Sequence, residues 1–250
     1  MLESEFRIIA DYHTHTLYSH GKGTIMDNVL AAKKKGLKRV AIADHGPAHL
    51  LYGIRKRDFS EIRREIDEIN KNIQDVEVLM GVECNIIGLD GSIDLPYELE
   101  DKLDILLVGF HAGALPKSFK DFIYLNLLNL LARYLPFLRR YSRKYNTIAY
   151  VNAIEKYPID IITHPGMKAE VDTRVLAKAA ARHNTALEIN AGHGYMTEEY
   201  IKIAKEEGAR FCINSDAHDP ERVGDFGRGL RIAQKAGLSS SDIINAGVIR

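Results

Sequence analysis

Short apolar runs alternate with amphipathic stretches along the whole chain. The apolar runs lie at 7–12, 39–43, 76–82, 104–110, 159–163, 186–190 and 210–214, and they are rich in Val, Ile and Leu. Near-continuous apolar runs of this length suit strands buried on both faces. The stretches between them follow a helical period. The stretch 59–74 places Ile62, Ile66, Ile69 and Ile73 at spacings of four, three and four, which is one helix face. The stretch 24–35 opens on Thr24 as N-cap, with Asp27 three residues later, and stops at Gly36. Helices at 172–183, 197–207 and 221–235 follow by the same logic. Alternating strands and helices predict an α/β chain with a mainly parallel sheet. Seven such units predict a distorted (β/α)7 barrel, one unit short of the usual eight.

One interval breaks the rhythm. Between His111 and Ile159 lie about 48 residues, more than one crossover helix requires. Within it, 119–138 is strongly apolar, with Leu125, Leu127, Leu128, Leu130, Leu131 and Leu135, and is followed by Arg139, Arg140, Arg143 and Lys144. The segment at about 114–157 is expected to form an extra helix pair packed on the barrel, with a solvated basic end. A substrate lid and a self-association surface, hence a homo-oligomer, are the functional alternatives. No Pro/Gly/Ser-rich linker divides the chain, so residues 1–250 read as one domain.

Six of the seven apolar runs end in residues suited to bind metal. The endings are Asp11-Tyr12-His13-Thr14-His15, Asp44-His45, Glu83, His111, His164 and Asp216-Ala217-His218. Active sites of (β/α) barrels lie at the C-terminal ends of their strands, so the pattern reads as catalytic. His13 and His15, two apart on an extended chain, project to the same side. A carboxylate such as Glu83 closing an apolar strand is costly unless paired or metal-bound, and it is the candidate bridge between ions. With His20, the candidate ligands number nine: His13, His15, His20, His45, Glu83, His111, His164, Asp216 and His218. A single tetrahedral zinc takes four, so several ions are expected. His193 follows the sixth run and is a candidate substrate contact, whereas His49 and His183 read as surface residues.

Composition narrows the alternatives. Formal net charge is zero, from 34 basic and 34 acidic side chains, which gives no global pull toward nucleic acid or anionic membrane. No run reaches about 18 uninterrupted apolar residues, so no membrane span is expected. The N-terminus, Met1-Leu2-Glu3-Ser4-Glu5, lacks the basic and apolar regions of a secretory signal. Cys84 and Cys212 sit singly inside apolar runs and read as buried hydrophobes of a reducing, cytoplasmic compartment.

The motifs His13-x-His15, Asp44-His45-Gly46-Pro47, Gly81-Val82-Glu83, Gly109-Phe110-His111, His164-Pro165-Gly166, Glu188-Ile189-Asn190 and Ser215-Asp216-Ala217-His218 run in order over nearly the whole chain. In this the sequence resembles the PHP (polymerase and histidinol phosphatase) family, most of all its stand-alone phosphoesterase branch. The resemblance implies a distorted (β/α)7 barrel and three divalent transition-metal ions. It implies His13, His15, Glu83 and Asp216 at one ion. Glu83, His111 and His164 would hold a second, and His20, His45 and His218 a third.

Mixed imidazole and carboxylate ligation suits Zn²⁺, Mn²⁺ or Fe²⁺. Clustered ions suit phosphate-ester hydrolysis, because they acidify a shared water and neutralise charge on the phosphoryl group. Glu83, Asp216 and His218 are therefore the expected catalytic residues. Arg55 and Arg57, with Lys56, Lys22 and Lys168, are rim cations that could contact phosphate. The expected activity is hydrolysis of a small phosphomonoester. Histidinol-phosphate phosphatase is a narrower form of the same chemistry. A 3′-5′ nuclease is a rival that the neutral charge argues against. A metal-dependent amidohydrolase and a non-enzymatic metal-binding domain are the remaining readings.

Overall fold

In the computed structural model, which describes residues 6–248, the elements follow the predicted alternation closely. Residues 1–5, read above for a secretory pattern, lie outside the described residues. In chain order come β1 (Phe6–Ile8), β2 (Ala10–Thr14), α1 (Ile25–Lys34), β3 (Arg39–Ile42), α2 (Asp58–Asn72) and β4 (Glu77–Asn85). Next are β5 (Ile105–Gly109), α3 (Phe119–Asp121), α4 (Leu128–Tyr134), α5 (Arg139–Lys156), β6 (Ile161–Ile162) and α6 (Thr173–His183). The last are β7 (Ala186–Asn190), α7 (Glu198–Glu206), β8 (Arg210–Asn214), α8 (Gly227–Lys235) and β9 (Ala246–Val248).

The strands β2 to β8 form one seven-stranded parallel sheet in sequence order, curled into a nearly closed barrel. Side chains alternate between two apolar layers, as the two-residue period of a strand requires. Val40, Ile42, Leu106, Val108, Phe211 and Ile213 face the helices. Ala10, Tyr12, Ala41, Ala43, Ile105, Leu107, Ile161, Ala186 and Cys212 form the second, inner cluster. The many small residues there fit the narrow bore of a seven-stranded barrel. Both cysteines are buried and unbridged.

Local signals hold where the sequence was explicit. Thr24 caps α1 and Asp27 completes its capping box. Two predicted elements are corrected. The run 7–12 is split at Ile9, because β1 pairs antiparallel with β9 instead of joining the barrel. The 221–235 helix starts only at Gly227. A short 3₁₀ turn, Pro220–Arg222, and Gly224 at φ 74° intervene.

The irregular interval folds as a helical pair. A π-helical stretch, Phe122–Leu127, links α3 to α4, and α5 returns after the turn at Pro136–Leu138. A buried polar knot holds the pair together. Asn129 Nδ2 donates to Asn146 Oδ1 at 2.8 Å, Ser142 Oγ donates to Asn129 Oδ1, and Asn146 Nδ2 donates to the Glu170 carbonyl at 2.9 Å. The last bond ties the pair to the loop after β6. No helix among the described residues is long and apolar enough to cross a membrane.

Candidate metal centre

The C-terminal ends of the barrel strands converge on Glu83, which is fully buried at the end of β4. Its two oxygens face different histidines. Oε1 lies 2.8 Å from His164 Nε2 and 3.5 Å from His111 Nε2. Oε2 lies 2.9 Å from His45 Nδ1, 3.3 Å from His13 Nε2 and 3.7 Å from His15 Nε2. Asp216 Oδ1 lies 3.3 Å from His15 Nε2 and 3.5 Å from His13 Nε2. Despite this crowding, both Glu83 oxygens, His13 Nε2, both nitrogens of His15, and one nitrogen each of His20, His45 and His164 have no hydrogen-bond partner. Buried polar atoms are normally paired, so a cluster of orphaned lone pairs aimed at shared points fits cations. Four triads have ligand atoms within 4.8 Å of one another: His13–His15–Glu83, His45–Glu83–His111, His13–His164–Asp216 and His15–His45–His218.

Neighbouring groups orient these ligands. Glu188 Oε1 accepts from His13 Nδ1 at 2.7 Å, which leaves Nε2 for an ion. His111 Nδ1 donates to Asn85 Oδ1 at 2.8 Å, and Asn85 Nδ2 in turn donates to Asp94 at 2.6 Å. His218 Nδ1 donates to the Asp216 carbonyl at 2.9 Å. Asp44 accepts from Thr16 N, Thr16 Oγ1 and Ser19 Oγ, all within 2.7 Å, and so shapes the loop that carries His20. Gly21 is required there, since a Cβ would lie 2.5 Å from the His15 carbonyl oxygen. His164 (φ 28°) and Asp216 (φ 55°) both adopt left-handed backbone, a conformation that costs free energy and clusters at functional sites.

The electrostatics divide the histidines: burial is outweighed at His13 by Glu188, Glu83 and Asp216 and at His164 by Glu83, so both are raised above the ordinary imidazole value. Burial opposes ionisation of Glu83, but His111 and His13 outweigh it and hold the carboxyl well below its usual range. Burial acts likewise on Asp216, and His13, His15 and His193 reverse it. Burial keeps His15 and His111 well below the ordinary imidazole value. His20 is lowered to about 4 by burial with His218 and His45 beside it. Neutral imidazoles present free lone pairs, as metal binding requires.

A profile of the PHP domain matches residues 11–218. The chain belongs to the PHP-domain family. A probable phosphatase from Shewanella sediminis (strain HAW-EB3) is 31% identical over 96% of this chain and 90% of its own length. A probable phosphatase from Thermoanaerobacter sp. (strain X514) is 31% identical over 97% of this chain and 92% of its own. Among solved structures, the histidinol phosphate phosphatase of Lactococcus lactis subsp. lactis Il1403, complexed with zinc, L-histidinol and phosphate, superposes with TM-score 0.62. It is 14% identical and covers 92% of this chain and 94% of that one. At that identity the likeness supports the PHP fold alone.

Eight of the nine candidate ligands fall in the four triads. His20 falls in none, but its ring lies 4.8 Å from that of His45 and 4.1 Å from that of His218. His193 Nε2 is 3.1 Å from Asp216 Oδ2, so it braces a candidate ligand. Arg55 and Arg57 are exposed and lean on Asp58 at 2.9 and 3.7 Å. Lys22 is drawn to Asp219 at 3.1 Å. His183 is exposed at the end of α6, as expected. His49 is a correction. It is half-buried, its ring lies 5.2 Å from His45 and 6.1 Å from His111, and burial lowers it to about 4. Tyr52, stacked on His20 at 4.3 Å, was not foreseen, and no local signal marks it.

Proposed function

We propose that the protein is a metal-dependent phosphatase that hydrolyses a small phosphomonoester at the centre around Glu83. The observation that carries this is Glu83 itself: a fully buried carboxylate whose two unpartnered oxygens face separate histidine groups is built to bridge cations. The donor set is imidazole and carboxylate without thiolate, which suits Zn²⁺, Mn²⁺ or Fe²⁺. Three ions are proposed, grouped as His13–His15–Glu83–Asp216, Glu83–His111–His164 and His20–His45–His218. When bound, they would acidify a water to near neutral pH and neutralise the phosphoryl oxygens. The chain's own residues hold that arrangement. Asp216 presents Oδ1 inward while Asn190 and His193 hold Oδ2. His218, one-third exposed, stands on the solvent side, with Nδ1 bonded to the Asp216 carbonyl so that Nε2 would be left for the third ion. Arg55, Arg57, His193 and Lys168 are the proposed rim contacts to substrate.

The test is phosphate release by metal-reconstituted protein over a phosphomonoester panel, with histidinol phosphate, a bis-ester and a single-stranded oligonucleotide included. At least one monoester is expected to give the highest kcat/KM. Faster turnover of the oligonucleotide than of every monoester would replace this reading with a nuclease. Elemental analysis should find close to three ions per chain, and one or fewer at saturation would remove the trinuclear assignment.

A further inference from the structure

A cavity of about 850 Å³ is walled by the loop after β6, the loop after β7 and the helices α4, α5, α6 and α7. Its volume is in the range of small-molecule sites. Pro165 and Gly166, which directly follow His164, form part of its wall. Tyr195 forms another part, with its ring 6.5 Å from that of His193. A phosphomonoester whose phosphate sat among the histidines would extend its alcohol portion this way.

The charge of the cavity is one-sided. Arg133, Arg139, Arg143, Lys168 and Arg174 line it, against Glu170 and Asp172. Arg174 is paired with Glu206 and Glu207, and Arg139 lies 4.0 Å from Glu170. Asp172 spends its carboxylate on capping α6 at Val175 N. No ion pair engages Arg133, Arg143 or Lys168 among the described residues. The wall that carries Arg133 and Arg143 is fixed in place by the Asn129–Ser142–Asn146 knot and its bond to the Glu170 carbonyl. Arginines presented on a rigid wall favour carboxylate or phosphate oxygens.

We propose that this cavity is a second anion subsite, and that the substrate is a small phosphomonoester whose alcohol portion carries a carboxylate or a second phosphate. The inference rests on the phosphatase reading above and narrows it. It disfavours histidinol phosphate, whose alcohol carries an ammonium group that this lining would repel.

The experiment measures kcat/KM of the metal-loaded protein on matched pairs. Glycerol 1-phosphate is set against 3-phosphoglycerate for the carboxylate, and fructose 6-phosphate against fructose 1,6-bisphosphate for the second phosphate. A preference of roughly tenfold for at least one anionic partner is expected from one or two charged hydrogen bonds. In Arg133→Glu/Arg143→Glu, and in the shape-keeping Arg143→Met, that ratio should fall toward one, through KM. Whichever pair shows the preference identifies the anion. Hydrolysis without preference, a preference that survives charge reversal, or an equal loss on both members of a pair would overturn the subsite. Hydrolysis of no monoester at all would overturn the phosphatase reading, and the subsite with it.

Discussion

Glu188 never reaches the space between the histidines, yet it controls two of them. Its carboxylate accepts from His13 Nδ1, the His164 amide, Asn190 Nδ2 and Asn214 Nδ2, all within 3.0 Å. A glutamine at 188 would offer one acceptor oxygen in place of two and would turn an N–H toward one of these donors. Glu188→Gln is therefore expected to weaken metal binding about 10–100-fold without unfolding the protein. Titration against a competing chelator measures it, and an unchanged affinity would remove Glu188 from the support of His13. Glu83→Gln is the harsher case, because a neutral amide cannot bridge two cations. It should lose at least one ion and most activity while circular dichroism stays native; activity within about threefold of wild type would exclude Glu83 from the chemistry. The nine candidate ligands were legible because they close apolar runs or sit just beyond one. Glu188 lies inside such a run, at 186–190, and was read only as part of a motif. A lone charge within a buried strand was its available signal. His49 and Tyr52 carried none, since only the folded loop after β3 brings them to His45 and His20.

At the scale of elements, hydrophobic period located the barrel strands and the long helices to within a few residues. What it missed has physical causes. The strand β9 is Ala246-Gly247-Val248, too short to show a period, and it exists through its pairing with β1. The start of α8 was read too early because the Glu221–Lys235 stretch is amphipathic across a turn that Gly224 creates. The extra helical pair was legible as helix, but its attachment was not. Asn129, Ser142 and Asn146 look like ordinary polar helix residues until they are found buried against one another. Asn146→Ala would leave the Asn129 amide and the Glu170 carbonyl short of partners, at a cost of about 1–3 kcal/mol. Hydrogen exchange should show faster opening of α4 and α5 than of the barrel strands. Uniform acceleration across the whole chain would mean that the knot holds the global fold and not this pair.

At the scale of the whole molecule, the barrel has a seam, and the centre straddles it. Neighbouring strands from β2 to β8 share backbone ladders, but β2 meets only the segment just after β8 among the described residues, at a bridge of Thr14 with Ala217. Side chains do the rest. Asn214 Oδ1 accepts from Tyr12 N at 3.0 Å, and Asp11 accepts from Ser215 N and Oγ. Asn245 donates to the carbonyls of Ala10 at 2.8 Å and Ile213 at 2.7 Å, and accepts from Ile213 N at 3.1 Å. The candidate ligands His13 and His15 come from the β2 side, and Asp216 and His218 from the β8 side. Ions bound there would staple the seam, so chelation should lower the melting temperature. Metal at about 100 times its dissociation constant contributes about 2.7 kcal/mol. The amide of Asn245 acts on the same seam, joining the start of β2 to Ile213 of β8. Asn245→Ala removes three buried hydrogen bonds and strands backbone groups of Ala10 and Ile213, which costs about 2–4 kcal/mol. For a chain of this length that lowers the melting temperature by roughly 5–15 °C. Thermal and urea unfolding of the chelated protein would isolate this effect from the stapling by metal. A melting temperature within a degree of wild type in the chelated state would show that the strand ends, and not the Asn245 amide, close the barrel.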